Sequence, residues 1–167
     1  MSRGKHGPNN LYNYLEVHHK AMGGHLASGF VLADKVAFGS ILPRELYVLE
    51  GRIHCAGGLA IDVRKFLAVV DCEGAHEKVQ TVDYKYHAHI SDVRNVFRYC
   101  SPHDDHNKHH HVHRYDVFGN GKKIKPPTFL HEEDDRPTLG DVIKELHAWY
   151  DANEGAITAL RGTLAGA

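Results

Sequence analysis

Strict alternation of side-chain character between residues 82 and 90 constrains the fold of this chain more than any other feature. Every second position there carries a branched, aromatic or small residue, namely Val82, Tyr84, Tyr86, Ala88 and Ile90. The positions between them carry charged or imidazole side chains, namely Asp83, Lys85, His87 and His89. Because successive side chains of a β-strand point to opposite faces, the pattern predicts a strand with one packed and one polar face. Such strands are typical of antiparallel sheets that are covered on one side.

Further strand signals lie on both sides of this segment. Residues 46–56 predict a hairpin that turns at Gly51, and residues 59–71 predict another strand. Residues 95–100 and 109–119 predict two more strands, which are joined by a polar loop. The central part of the chain is therefore expected to be a sheet of short, consecutive strands.

The clearest helix signal begins at Thr138, which forms a capping-box pattern with Asp141. Apolar residues then recur at helical spacing: Leu139, Val142, Ile143, Leu146, Trp149 and Tyr150. Strands followed by a helix predict the α+β class, with an antiparallel sheet of about four to six strands and a C-terminal helix packed on one face. Residues 1–43 predict an N-terminal extension or arm, and residues 44–167 a single α+β domain.

Composition excludes several classes of protein. The chain has 167 residues, of which 42% are hydrophobic and 25% charged, as in ordinary globular domains. No run of about 20 apolar residues is present, and the first twenty residues lack the apolar core of a signal peptide, so we expect a cytoplasmic protein with no membrane partner. The three cysteines, Cys55, Cys72 and Cys100, form no C-x-x-C pair, which argues against a disulfide scaffold or a cysteine-rich zinc site and favours buried thiols.

An internal histidine run is the strongest functional signal. Six of the eleven residues from His103 to His113 are histidine, and the chain has sixteen histidines in all. His87 with His89, and His111 with His113, are pairs at strand spacing, so both rings of each pair point to one side. If the sheet brings these faces together, up to five imidazoles converge.

One interpretation of these imidazoles is metal-independent RNA cleavage. Histidine can take the proton from a ribose 2′-OH and donate one to the leaving oxygen, because its pKa lies near neutral pH. The predicted acid/base residues are His111 and His113, helped by His87 or His89, with Arg98 gripping the phosphate. The predicted substrate-binding residues are the cations near the run: Lys85, Lys108, Arg114, Lys122 and Lys123. No cofactor is required in this interpretation.

Two alternatives stay open on the same residues. His109, His111 and His113, with or without Asp104, Asp105 or Asp116, can bind zinc or another divalent metal in a protein without nuclease activity. The histidines can instead form a pH-sensitive surface for a partner, because they titrate close to neutral pH.

Several short motifs resemble the TumE-like toxin family of bacterial and archaeal toxin–antitoxin operons. They are Tyr84-Lys85-Tyr86-His87, Arg98-Tyr99, Pro102-His103, His111-Val112-His113 and Thr138-Leu139, within roughly residues 46–151. Cys100 departs from the pattern, which has an acidic residue there, and residues 1–43 exceed the family's compact size. The resemblance implies a growth-inhibiting toxin, a cognate antitoxin as partner and RNA as the target, with endoribonuclease activity as a hypothesis. It leaves open whether residues 1–43 form an arm, a homodimer contact or part of the antitoxin interface.

Overall fold

A computed structural model describes residues 7–91, 93–103, 109–131 and 135–165 of the chain. The helices and strands within these residues follow in the order β1 (Asn9–Asn10), α1 (Leu11–Ala27), β2 (Val31–Asp34), β3 (Ala37–Leu42), β4 (Leu46–Cys55), β5 (Leu59–Glu73), β6 (His76–Ile90), β7 (Arg94–Cys100), β8 (His110–Arg114), β9 (Thr128–Leu130) and α2 (Leu139–Ala165), with a 3-10 turn at Ala56–Gly58. Neither described helix combines the length and the apolar composition needed to span a membrane.

All nine described strands belong to one antiparallel sheet. Strands β4 to β9 pair in chain order as a meander, and β2 and β3 both pair with β4. β1 pairs with the first part of β6, whereas β7 pairs with its second part. The predicted α+β class is thus confirmed, but the sheet has more strands than the expected four to six. The additional strands are short, and short strands offer too few alternating positions to be recognised from sequence.

The segment that was expected to be an arm contributes directly to the sheet. Its helix α1 precedes β2 and β3, which lie within residues 1–43 and pair with β4. Asn10 caps α1, because its side chain accepts hydrogen bonds from the backbone N–H groups of Tyr12 (2.9 Å) and Asn13 (3.4 Å). Whether residues 1–43 behave as a separate unit stays a prediction.

One face of the sheet, called the inner face here, packs against both helices. Met22 of α1 and Ile143 and Leu146 of α2 join the main core cluster with residues of β4 to β8. Glu145 fastens α2 to the sheet, because it accepts a hydrogen bond from the Tyr99 hydroxyl (2.7 Å) and pairs with Arg114 (2.8 Å). The C-terminal helix therefore packs on one face, as the apolar stripe predicted.

The opposite face, called the outer face, is polar. Tyr84, Tyr86, Ala88 and Ile90 are buried on the inner side, which confirms the alternation predicted for β6. Val82 departs from it and is 56% exposed, because the pairing of β5 with β6 shifts by one residue at that point. One row of the outer face crosses five strands in register: Arg52, Asp62, His87, Arg98 and His113.

Candidate metal centre

Four potential metal ligands meet at the outer face where β7 and β8 pair. Cys100 is the last residue of β7 and lies opposite His111 of β8, and His113 follows two residues along the same strand. Because side chains repeat every second residue along a strand, His111 and His113 point to the same side as Cys100. His103, three residues beyond β7, completes the group.

The ligand atoms of these four residues lie within 4.8 Å of one another. Zinc bonds of about 2.0–2.3 Å separate neighbouring ligand atoms of a tetrahedral site by roughly 3.3–3.8 Å. The separations between ligand atoms therefore need to shorten by at most about 1.5 Å to reach that geometry. His111 and His113 have no exposed surface and Cys100 is buried, whereas His103 is exposed. The donor set is one sulfur and three imidazoles, which suits zinc.

A backbone contact orients one of the imidazoles. Nδ1 of His111 lies 3.1 Å from the carbonyl oxygen of His109, a distance at which an Nδ1 proton donates a hydrogen bond. That bond keeps the proton on Nδ1 and leaves the lone pair on Nε2, which is the form that binds metal. The rings of His111 and His113 meet edge to face at 4.8 Å, and those of His103 and His111 at 4.9 Å.

Cations surround the thiol of this group. Burial raises the pKa of Cys100, while the charges of Arg98, Lys85 and Lys123 oppose that change. The net effect favours the neutral thiol when no metal is bound, so metal binding would release its proton. The cluster is thus a place where protonation and metal binding compete.

The structure changes the metal-ligand set that was expected from sequence. His109 lies outside the cluster, with its ring 5.4 Å from that of His131 and 6.0 Å from that of Phe129. The side chain of Asp116 stabilises a turn, because its carboxylate accepts hydrogen bonds from the backbone N–H groups of Gly119 and Asn120. Asp104 and Asp105 lie outside the described residues.

Cys100 and His103 are the candidate ligands that the sequence interpretation missed. Cys100 was expected to be a buried thiol, and it is buried. Its role as a candidate ligand depends on the pairing of β7 with β8, which places it opposite His111. The unusual cysteine at the acidic position of the family pattern was the one available signal.

The two histidine pairs do not converge. Strand β7 lies between β6 and β8, so His87 and His113 are two strand spacings apart, or roughly 10 Å. His89 Nε2 lies 3.1 Å from Asp62, and His87 Nε2 lies 2.9 Å from the Asn95 side chain. The outer face therefore has two separate imidazole groups rather than one group of five.

Asp62 links the second imidazole group to an arginine. Arg52 donates two hydrogen bonds to Asp62, from Nε to Oδ1 (2.6 Å) and from Nη2 to Oδ2 (3.1 Å), and Oδ2 is also the oxygen that His89 contacts. Burial raises the pKa of Asp62, but the Arg52 hydrogen bond and the charge of His89 outweigh burial, so the pKa of Asp62 lies below its usual value. Burial, together with the charge of His89, lowers the pKa of His87. Asp62 thus stays ionised and can orient His89.

The predicted phosphate-binding cations divide between the two faces. Lys85 is exposed on the outer face, and Arg98 lies in register between His87 and His113. Lys122 is exposed and Lys123 half-buried beside β8. Arg114 lies on the inner side with Glu145. Lys108 lies outside the described residues.

Several residues of the RNA-cleavage interpretation lie on the same face of the sheet. His87, His89, Arg98, Lys85 and Lys123 share the outer face with the four-ligand cluster. The acid/base roles of His111 and His113 stay predictions, and their buried rings are out of reach of an RNA phosphate in this conformation.

No family model, no curated protein and no solved structure matches the chain, so the resemblance to the TumE-like family stays a hypothesis.

Proposed function

We propose that this protein binds a divalent transition metal, with zinc preferred, through Cys100, His103, His111 and His113. The observation that carries the proposal is the convergence of four ligand atoms within 4.8 Å, three of them from buried residues. A thiolate and three imidazoles favour zinc over magnesium or calcium, which prefer oxygen ligands.

A centre with four protein ligands acts mainly on structure. Zinc sites that use four protein ligands have no open position for water or substrate. Here the metal would join the end of β7, the loop that follows it and the middle of β8. His103 is the exposed ligand, so its departure is the simplest way to open a coordination position.

The metal and the proton-transfer roles exclude each other at His111 and His113. An imidazole nitrogen that donates its lone pair to a metal cannot accept a proton at the same time. If both residues bind metal, acid/base chemistry on the outer face falls to His87 and His89.

Purified full-length protein without an affinity tag is expected to contain about one zinc ion per chain. Cys100→Ser is expected to lose most of that metal, because serine is a poor zinc ligand at neutral pH. Cobalt substitution gives a second measurement, since thiolate-to-cobalt charge-transfer absorption should appear in the wild type and disappear in Cys100→Ser.

Cys72→Ser is the matched control, because Cys72 is exposed and lies outside the cluster. It should keep both the zinc and the cobalt–thiolate absorption. His109→Ala should also keep the metal, which separates this ligand set from the one expected from sequence. A wild-type chain that carries no metal, or Cys100→Ser with full metal content, would remove the proposal.

An RNA-directed toxin is the second candidate, and the cationic outer face favours it. Lys85, Arg98 and Lys123 lie on that face around Cys100, and Arg98 is also in register with His87, so a phosphate-binding cation and an acid/base group are neighbours there. In this proposal the protein is a cytoplasmic endoribonuclease held inactive by a cognate antitoxin, as the resemblance implies.

RNA cleavage should then survive EDTA and fall at least about 100-fold in His87→Ala/His89→Ala, the range expected for general acid–base catalysis. The measurement is cleavage of total RNA by purified protein in EDTA and after zinc is restored. His76→Ala is the control, since His76 is exposed at the start of the same strand. Cleavage lost only in His111→Ala/His113→Ala would instead assign catalysis to the pair predicted from sequence. Absence of cleavage under every condition would leave metal binding alone.

A further inference from the structure

Lys65 is a charged residue in an otherwise apolar row on the inner face. The inward side chains of β5 are Leu59, Ile61, Val63, Lys65 and Leu67, and all but Lys65 are buried hydrophobic residues. In register, Lys65 lies between Leu49 of β4 and Tyr84 of β6, which are both buried. Its long side chain therefore starts from the packed side of the sheet, under helix α1.

The ammonium group of Lys65 has no carboxylate partner in the part of the chain that the structure describes. Nζ lies over the ring of Tyr14 on α1, 4.9 Å from the ring centroid. Burial, with the nearby charge of Arg136, lowers the pKa of Lys65 to about 8. Unpaired buried cations are costly, and proteins normally pair them.

Lys65 lines a cavity of about 260 Å³ between α1, the sheet and the start of α2. The walls are mostly apolar and include Val17, Met22, Val79 and Leu139. Lys65 retains some exposed surface, as expected of a group that faces a cavity. The space is thus more apolar than polar, has polar side chains such as Tyr14, His18 and Thr81 in its walls, and is also lined by Lys65.

The start of α2 adds to the positive character of the cavity. Thr138, Leu139 and Gly140 line it, and the first N–H groups of a helix have no partner within the helix. Thr138 and Asp141 cap each other's backbone N–H groups, at 2.8 and 3.2 Å. The helix end supplements Lys65 and would not define a site without it.

The described acidic side chains beside the cavity, Asp141 and Asp34, already have partners. Asp141 accepts the Thr138 hydrogen bond, and Asp34 lies 3.8 Å from His18, whose ring also lines the cavity. Residues 1–6, which precede Gly7 at the cavity wall, include Arg3 and Lys5 but no acidic residue. Among the residues that the structure describes, no carboxylate pairs with Lys65, so an added organic anion is the complementary occupant.

We propose that this cavity binds a small organic anion, a monocarboxylate with an apolar body, whose carboxylate pairs with Lys65 Nζ. The apolar body would lie against Val17, Met22 and Val79, and the carboxylate would replace the missing partner of the ammonium group. The site is separate from the metal cluster, because it lies on the inner face of the sheet.

Calorimetric titration of the full-length protein with hexanoate, octanoate and benzoate tests this proposal. At least one of the three should bind, and the corresponding alcohol, hexanol, octanol or benzyl alcohol, should bind at least about 10-fold more weakly, since a charge-assisted pair contributes more than 1.4 kcal/mol. Lys65→Met should lose the preference for the acid over the alcohol. Lys20→Met is the control, because Lys20 is exposed on α1 and pairs with Glu16.

A second readout separates binding from a change in folding. In the wild type, the NMR signal of the Lys65 amine should show its pKa rising when the carboxylate is added, because a nearby anion stabilises the ammonium form. Failure of all three carboxylates to bind would overturn the proposal. Equal binding of acid and alcohol, or unchanged carboxylate binding by Lys65→Met, would also overturn it.

Discussion

Removal of the metal by a chelator should lower the melting temperature of the zinc-loaded protein by roughly 10 °C. Metal that is present at about 1,000 times its dissociation constant adds about 4 kcal/mol to the free energy of unfolding, if the unfolded chain binds it weakly. In a domain of this size, 1 kcal/mol shifts the melting temperature by about 2–4 °C. The effect is expected to be large because Cys100, His111 and His113 are buried on two paired strands.

Scanning calorimetry with EDTA, and again after zinc is restored, measures this shift. Cys100→Ser should melt near the temperature of the chelated wild type and should not respond to zinc. Cys72→Ser should respond as the wild type does, since its side chain is exposed and outside the cluster. A wild type with the same melting temperature in EDTA and in zinc would contradict a stabilising metal centre.

The alternating segments of the sheet were the part of the fold that the sequence could predict. Within residues 84–90, apolar or aromatic side chains that point inward alternate with polar side chains that point outward, so the two-residue period of the sequence matches the side of the strand that is packed. The apolar stripe of α2 was recognisable for the same reason, because Val142, Ile143 and Leu146 are fully buried. In both cases a local pattern reflects which side of the element is packed.

Gly51 illustrates why other parts of the fold were missed. The sequence predicted a hairpin turn there, but Leu46–Cys55 is one continuous strand and Gly51 pairs with Val63. Its φ is +149°, and a Cβ built on it would lie 2.2 Å from the carbonyl oxygen of Lys35. Gly51 thus lets the segment between β2 and β3 approach β4 closely. That approach is a long-range contact, and local turn rules do not include it.

The grouping of residues in the candidate site was mispredicted for the same reason. The sequence showed that His111 and His113 share a face, but the neighbour of that face depends on strand order. With β7 between β6 and β8, Cys100 rather than His87 or His89 lies opposite His111. The types of residue could be predicted from sequence, whereas the grouping of the ligands required the register.

Lys65→Met is expected to raise the free energy of unfolding at pH 7 by roughly 1–3 kcal/mol. The pKa of Lys65 is about 8 in the folded protein and 10.5 when unperturbed. At about 1.4 kcal/mol per pKa unit this difference corresponds to roughly 3 kcal/mol against folding, and the partial exposure of Lys65 reduces it. Methionine has a similar length and no charge, so it should fill the same space on the inner face.

The difference in stability between wild type and Lys65→Met should depend on pH, in a direction that follows from the lowered pKa of Lys65. Below about pH 8 the amine is protonated in both states, so the full penalty is present. Between about pH 8 and 10.5 the unfolded chain keeps a proton on Lys65 that the folded chain has lost, so the penalty that Lys65 contributes should shrink as pH rises. Urea unfolding at pH 7 and pH 10 should therefore show a difference between wild type and Lys65→Met that shrinks at the higher pH. Lys20→Met should match the wild type at both.

A carboxylate ligand should reverse the order of stability at pH 7. Saturating ligand stabilises only the chain that binds it, by an amount that grows with the logarithm of its concentration. The stability of the wild type should then exceed that of Lys65→Met, which binds the anion more weakly. If Lys65→Met instead destabilises the free protein, Lys65 stabilises the folded state through its stem and its contact with Tyr14. The two outcomes separate a lysine that is unfavourable without a ligand from one that is simply part of the core.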